Sequence, residues 1–288
     1  MLSGELLSDQ IYEPEHIQSV LKAIQGGIPV YFSTFKSSKS LFEEALKDHE
    51  KEFKAYQEYL DLAALNEFKT DPNSFKPETR KNCPIIRRCL MSQDDIMKSY
   101  KISFSTVNAK DLLYTVYNIA SFGRQYVEDF NHNQHEASKS YADLEIDDLS
   151  EEDYGCLGVV GYGIQSALLY SLYPYAFAHR SQNAVWALYF LSGKQDFGLG
   201  DDGSEFLMVR PEYGTCEQNY FYPPELFGYY ALQVYLMLKK ADPSFKKLFK
   251  DEHRYIYLDA FFDHVANTHR EDINALKWTS EHVENHWH

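Results

Sequence analysis

The stretch SLFEEALKDHEKEFKAYQEYL, residues 40–60, decides the reading of the fold. Phe42, Leu46, His49, Phe53, Tyr56 and Leu60 follow one another at alternating steps of four and three, which draws a single stripe along an α-helix. Glu, Lys and Asp fill much of the opposite side. Ser40 and Glu43 have the spacing of a capping box, and the pattern predicts a helix ending near Phe68, before Pro72 and Pro77. His49 lies inside the stripe. With no second His or Cys one turn away, it reads as a residue of the core edge and not as a metal ligand.

Upstream, Pro14 suits a first helical turn, and Ile17, Val20, Leu21 and Ile24 follow at helical spacing. Gly26 and Gly27 predict the end of that helix. Residues 28–35, rich in β-branched and aromatic side chains, predict a short strand that Pro29 confines to an edge. Downstream, residues 69–101 read as irregular and locally basic. Residues 101–106 alternate as a half-buried strand, and Asn108 caps a following helix with Leu112, Val116 and Ile119 on its apolar face. Further helices are expected over 161–173, 182–191, 224–240 and 257–268, with a strand over 204–209. The predicted class is mainly α, with a few short strands and two helical lobes around aromatic-rich cores. The expected division is an N-terminal lobe over 1–127, an acidic linker or loop over 128–153 and a C-terminal lobe over 154–288.

Composition bounds the function. A chain of 288 residues can bury a core without disulfides or metal staples. Tyr 23, Phe 19 and Trp 3 make it aromatic-rich, and each buried Tyr hydroxyl needs a partner, so a tyrosine hydrogen-bond network is expected at the core margins. The net charge of −15 repels polyanions and makes nucleic acid a disfavoured partner. Cys83, Cys89, Cys156 and Cys216 form no CxxC pair and read as free thiols. Residues 1–10 carry Glu5 and Asp9 with no basic run, unlike a signal peptide, and no apolar run reaches 18 residues. The expectation is a cytoplasmic protein without a membrane span.

Motifs are sparse. The glycines of 159–166 lack the third glycine and the later acidic residue of a dinucleotide-binding turn, and read as a tightly packed helix start. His179-Arg180-Ser181 is the first-choice ligand site: Ser181 is a good N-cap, and a helix amino end beside an arginine can hold an anion. Glu205 or Glu217 of the same chain would compete for Arg180. Gln218 and Asn219 beside Tyr220 suggest amides that read polar edges while a ring stacks on a planar ligand. The candidate binding set is therefore His179, Arg180, Ser181, Glu205, Gln218, Asn219 and Tyr220, with no metal and no cofactor expected. The histidines 282, 286 and 288 suggest only adventitious metal binding.

The leading expectation is a non-enzymatic protein that binds a protein partner or a small anionic or planar ligand through the C-terminal lobe. A second is a metal-dependent phosphoesterase or nuclease using Asp201, Asp202 or Glu205, with the basic stretch as a polyanion contact. That core lacks the lysine two residues after its acid, since Leu207 stands there. A third is an inhibitor whose acidic 128–153 segment mimics nucleic acid.

Overall fold

Ile17, Val20, Leu21, Ile24, Ile28, Tyr31, Phe32 and Phe35 keep one helical phase straight through the two glycines and the proline. All are buried along a single helix, α1 (Pro14–Ser37). The helix stop at Gly26-Gly27 and the strand over 28–35 are therefore corrected, because the continuous stripe outweighs local propensity. Pro29 sits on the exposed face, so its missing N–H costs a bond only on the solvent side. Gly27 has a packing role: a Cβ there would lie 2.2 Å from the Leu191 carbonyl oxygen, whereas at Gly26 it would meet nothing within 4 Å.

The computed structural model describes residues 9–94, 97–199, 204–210, 215–242 and 250–284. After α1 come α2 (Lys39–Tyr59) and α3 (Leu62–Glu67). The long predicted helix breaks between them because Asp61 accepts a hydrogen bond from the Ala64 N–H at 2.8 Å and starts a new helix. Ser38, not Ser40, stands at the α2 N-cap, and its side chain makes no cap bond. The stretch expected to be irregular holds α4 (Phe75–Asn82), α5 (Pro84–Met91, with proline in its first turn) and α6 (Met97–Thr106). The strand expected over 101–106 is thus helical. Phe104 is 6 % exposed but Ile102 is 64 % exposed, so the alternating pair does not share a buried face. Asn108 caps α7 (Ala109–Glu128) as expected, accepting from the Lys110 N–H at 2.8 Å.

The remaining elements are α8 (His132–Glu136), α9 (Tyr162–Leu172), α10 (Gln182–Leu191), β1 (Leu207–Arg210), β2 (Thr215–Gln218), α11 (Pro224–Ala241), α12 (Arg254–Thr268) and α13 (Arg270–Glu284). The chain is mainly α. Its one sheet among the described residues is the antiparallel hairpin β1–β2, with Leu207 opposite Gln218. The second strand was not anticipated. Among the described residues no helix is long and apolar enough to cross a membrane.

The core gathers around α12, which packs against α10, α2, α1 and α11. Its margins carry the expected tyrosine network. Tyr12 donates to Glu225 at 2.9 Å, Tyr126 to the Leu144 carbonyl at 2.8 Å and Tyr229 to the Lys139 carbonyl at 2.6 Å, while Tyr255 pairs with His135 at 2.7 Å. The bonds of Tyr126, Tyr229 and Tyr255 also hold the acidic 128–153 segment. Leu144, Ile146 and Leu149 are buried between its exposed acids, and Gln165 donates to the Leu149 carbonyl at 2.8 Å. Glu136 of this segment accepts from Lys239 at 2.7 Å and from Arg254 at 2.9 Å, and the Arg254 side chain is fully enclosed. All four cysteines are free.

Two predictions follow from this packing. Gly27→Ala should lower unfolding free energy by about 1–3 kcal/mol through overpacking, whereas Gly26→Ala should raise it by about 0.5–1 kcal/mol through helix propensity; parallel urea melts compare the two. Glu136→Ala leaves the enclosed Arg254 guanidinium without its carboxylate and should cost about 3–5 kcal/mol in the same assay.

Candidate functional site

The sequence-derived set divides between two places. Arg180 is 4 % exposed and turns inward, where a guanidinium N–H donates to the Asn219 carbonyl. Its Nε has no partner among the described residues, and the ring of Tyr162 lies 5.9 Å away. Burial lowers its pKa to about 10, so it stays charged at neutral pH. The cavity beside it is about 30 Å³, room for about one or two waters and not for a phosphate. Ser181 caps α10, accepting from the Ala184 N–H at 3.0 Å.

Glu205 does not pair with Arg180. Its carboxylate, 1 % exposed, is bound by the His16 ring and by the Tyr222 hydroxyl at 2.6 Å. Asn219 is equally committed: its amide donates to the Glu205 carbonyl at 2.9 Å, and its side-chain oxygen accepts from the Phe221 N–H at 3.0 Å. Gln218 is buried at the end of β2, with its Oε1 unpartnered, and Tyr220 is half-buried. Arg180, Asn219 and Glu205 thus form one hydrogen-bonded chain that ties the hairpin to the helices. Asp201 and Asp202 lie outside the described residues, as do His286 and His288. Gly161 is the N-cap of α9, and among the described residues the strand-like pairing before it is an isolated Cys156–Val160 bridge. Among the described residues no three His, Cys, Asp or Glu side chains are disposed to hold a metal ion.

His179 stands apart from this set. It lines an open cavity of about 410 Å³ framed by α2, α5, α9 and α12, the size of a small-molecule site. Helix periodicity brings the other groups there. Asp259 and Asp263 are one turn apart on α12, whose other residues are largely buried and apolar, and His49 comes from the α2 stripe. His179 Nδ1 is 3.2 Å from Asp259 Oδ2, and its ring stacks on Tyr170 at 5.0 Å between centroids. Asp263 accepts from the Asn183 amide at 2.7 Å. Arg88, paired with Glu52, and Lys51 also line the cavity. Asp259 Oδ1 and His49 Nε2 are buried without partners.

The electrostatics separate these groups. Burial, and then the neighbouring Asp259 charge, raises Asp263 to about 6. For His179, burial alone would lower the pKa, but the charge and hydrogen bond of Asp259, with Asp263 behind, hold it above the usual imidazole value. Burial pushes His49 the other way, below the usual imidazole value, with partial compensation from a backbone hydrogen bond at Tyr170. The Tyr170 hydroxyl is held well above its ordinary value by burial and both aspartates.

His179 belongs to the sequence-derived set but lies in a different pocket from Arg180; His49 reads as core in the sequence, and Asp259 and Asp263 are not in that set. The overlooked signal is two aspartates at i, i+4 on a helix read only for its apolar face. No protein-family model, no curated protein and no solved structure matches the chain.

Proposed function

We propose that the cleft of His49, His179, Asp259 and Asp263 binds a small polar molecule and hydrolyses it by general acid–base catalysis. The observation that carries this reading is the His179–Asp259 pair lining an open cavity of about 410 Å³ beside a second carboxyl, Asp263.

The order of the pKa values sets the roles. Asp263, near 6, is ionised at neutral pH and is the base that takes a proton from water. His179, held above the usual imidazole value by Asp259, is the acid that protonates the leaving group. Asp259 fixes the imidazole ring through Nδ1 and leaves Nε2 for the substrate. Water is the nucleophile, because no cysteine lines the cleft and the Ser171 hydroxyl donates to the Ala167 carbonyl at 2.6 Å. Arg88 and Lys51, which line the same cavity, supply positive charge for the negative charge that develops on the substrate.

A panel of small carboxylic and phosphoric esters, amides and glycosides tests this reading. Turnover is expected to rise with a limb near pH 6 and to fall at higher pH as His179 loses its proton. His179→Asn and Asp263→Asn should each lower kcat by about 10²–10⁴-fold. Unchanged turnover in His179→Asn, or an imidazole titration of His179 by NMR at or below its ordinary value, would overturn it.

The same substitution should have the opposite effect on stability. Asp263 has a folded pKa near 6, above the unfolded value of 3.8, so the unfolded state binds fewer protons across that window and stability falls as pH rises through it. Asp263→Asn should therefore be more stable than wild type above pH 6, by on the order of 1–2 kcal/mol after discounting for partial exposure. The difference should vanish below about pH 4. Thermal melts of both proteins at pH 4 and pH 7.5 measure it.

A further inference from the structure

A second open cavity, of about 730 Å³, lies between α4, α5, α6 and the start of α7. It is lined by Lys76, Arg80 and Lys101, by the polar groups of Asn73 and Asn108 and by the buried ring of Phe104. Among the described residues lining it there is no carboxylate. In a chain of net charge −15, three cations around one concavity without an acid is a specific arrangement.

We propose that this cavity binds a small polyphosphate-bearing molecule of nucleotide size. Lys76 and Arg80 are i, i+4 neighbours on α4, a like-charge pairing that disfavours the helix until an anion lies between them. The two lysines are already held in place. Lys76 Nζ donates to the Ser105 carbonyl at 2.7 Å and the Val107 carbonyl at 3.0 Å, and Lys101 Nζ donates to the Ser92 carbonyl at 2.5 Å. An ammonium has three donors, so one on Lys76 and two on Lys101 remain for a ligand. Arg80 is exposed at the mouth and free to offer a bidentate contact to phosphate oxygens. Three positive charges, two of them tethered, match two or three negative ones, which favours a di- or triphosphate over a monocarboxylate. The volume of this open cavity is that of a small-ligand site, and Phe104 supplies an apolar wall for the non-phosphate part. A nucleic acid would instead extend over the acidic remainder of the chain, whose field opposes it. This inference is independent of the acid–base cleft, which has a different set of lining residues.

Fluorescence anisotropy with a methylanthraniloyl-labelled ADP, competed with inorganic pyrophosphate, is the direct test. Saturable binding is expected, displaced by pyrophosphate and weakened as salt rises from about 50 to about 200 mM. Arg80→Glu and Lys101→Gln should each weaken it by about tenfold or more, with circular dichroism and melting close to wild type, whereas Asp263→Asn in the other cleft should bind as wild type does. No saturable binding of the labelled ADP up to about 1 mM, or wild-type affinity in both cation variants, would overturn the proposal. So would displacement of the label by a short single-stranded oligonucleotide at far lower concentration than by pyrophosphate, which would make the face a nucleic-acid contact.

Discussion

Burial of α12 on all sides but one is the constraint on which the rest of the molecule depends. Ile256, Leu258, Phe261, Phe262 and Val265 are buried against α1, α2, α10 and α11, and removing this apolar surface from water fixes both the height and the rotation of the helix. Once it is fixed, Asp259 and Asp263 must emerge one above the other on the remaining side. Carboxylates in that position need partners, because partly buried charge is costly when unpaired. The connection from α9 into α10 supplies His179 for Asp259, and the first turn of α10 supplies Asn183 for Asp263. At the amino end of α12, Arg254 is enclosed and anchored by Glu136 and the Tyr175 carbonyl. The apolar contacts and the charged cleft are therefore two sides of one helix, and the cleft geometry is only as rigid as the packing behind it.

Helical phase was the most legible property of the chain. The boundaries of α10 and the start of α11 follow from a serine cap and a proline, and Asn108 marks α7 for the same local reason. The errors share a cause. Over 28–35 and 101–106 a short window was read for β-branched content or alternation, while the decisive information was phase carried in from residues further away. Ile28, Tyr31, Phe32 and Phe35 continue the stripe of Ile17, Val20 and Ile24. Conversely, Gly27 reads as a helix stop and functions as a contact, because what requires glycine there is the Leu191 carbonyl of another element. No local pattern contains that information.

Charge shows the same division. The acidic 128–153 segment reads as a solvated run, yet its acids are interleaved with Leu144, Ile146 and Leu149, which anchor it in the core. A high density of like charge does not keep a segment loose when apolar residues recur every two or three positions and tyrosine hydroxyls satisfy its carbonyls. The basic stretch that precedes α7 behaves oppositely. Its short helices leave Lys76, Arg80 and Lys101 on one concavity without an acid, so a compositional bias becomes a local potential. Net charge predicts the sign of the long-range field; the folding of short helices decides where that field is reversed.

Adjacent residues 179 and 180 make the sharpest distinction between motif and site. A positive side chain before an N-cap serine is a plausible anion site when read as sequence, but its amides and guanidinium must also be free. Here Ser181 already accepts from the Ala184 N–H, and Arg180 passes inward to the Asn219 carbonyl, beyond which Asn219 reaches Glu205. Glu205 in turn is held by His16 and Tyr222. The polar groups of the hairpin satisfy one another, and the residual cavity beside them holds little more than a water. His179, one residue earlier, lines the open cavity of α12 instead. The dipeptide thus divides its two side chains between a structural tie and an accessible cleft.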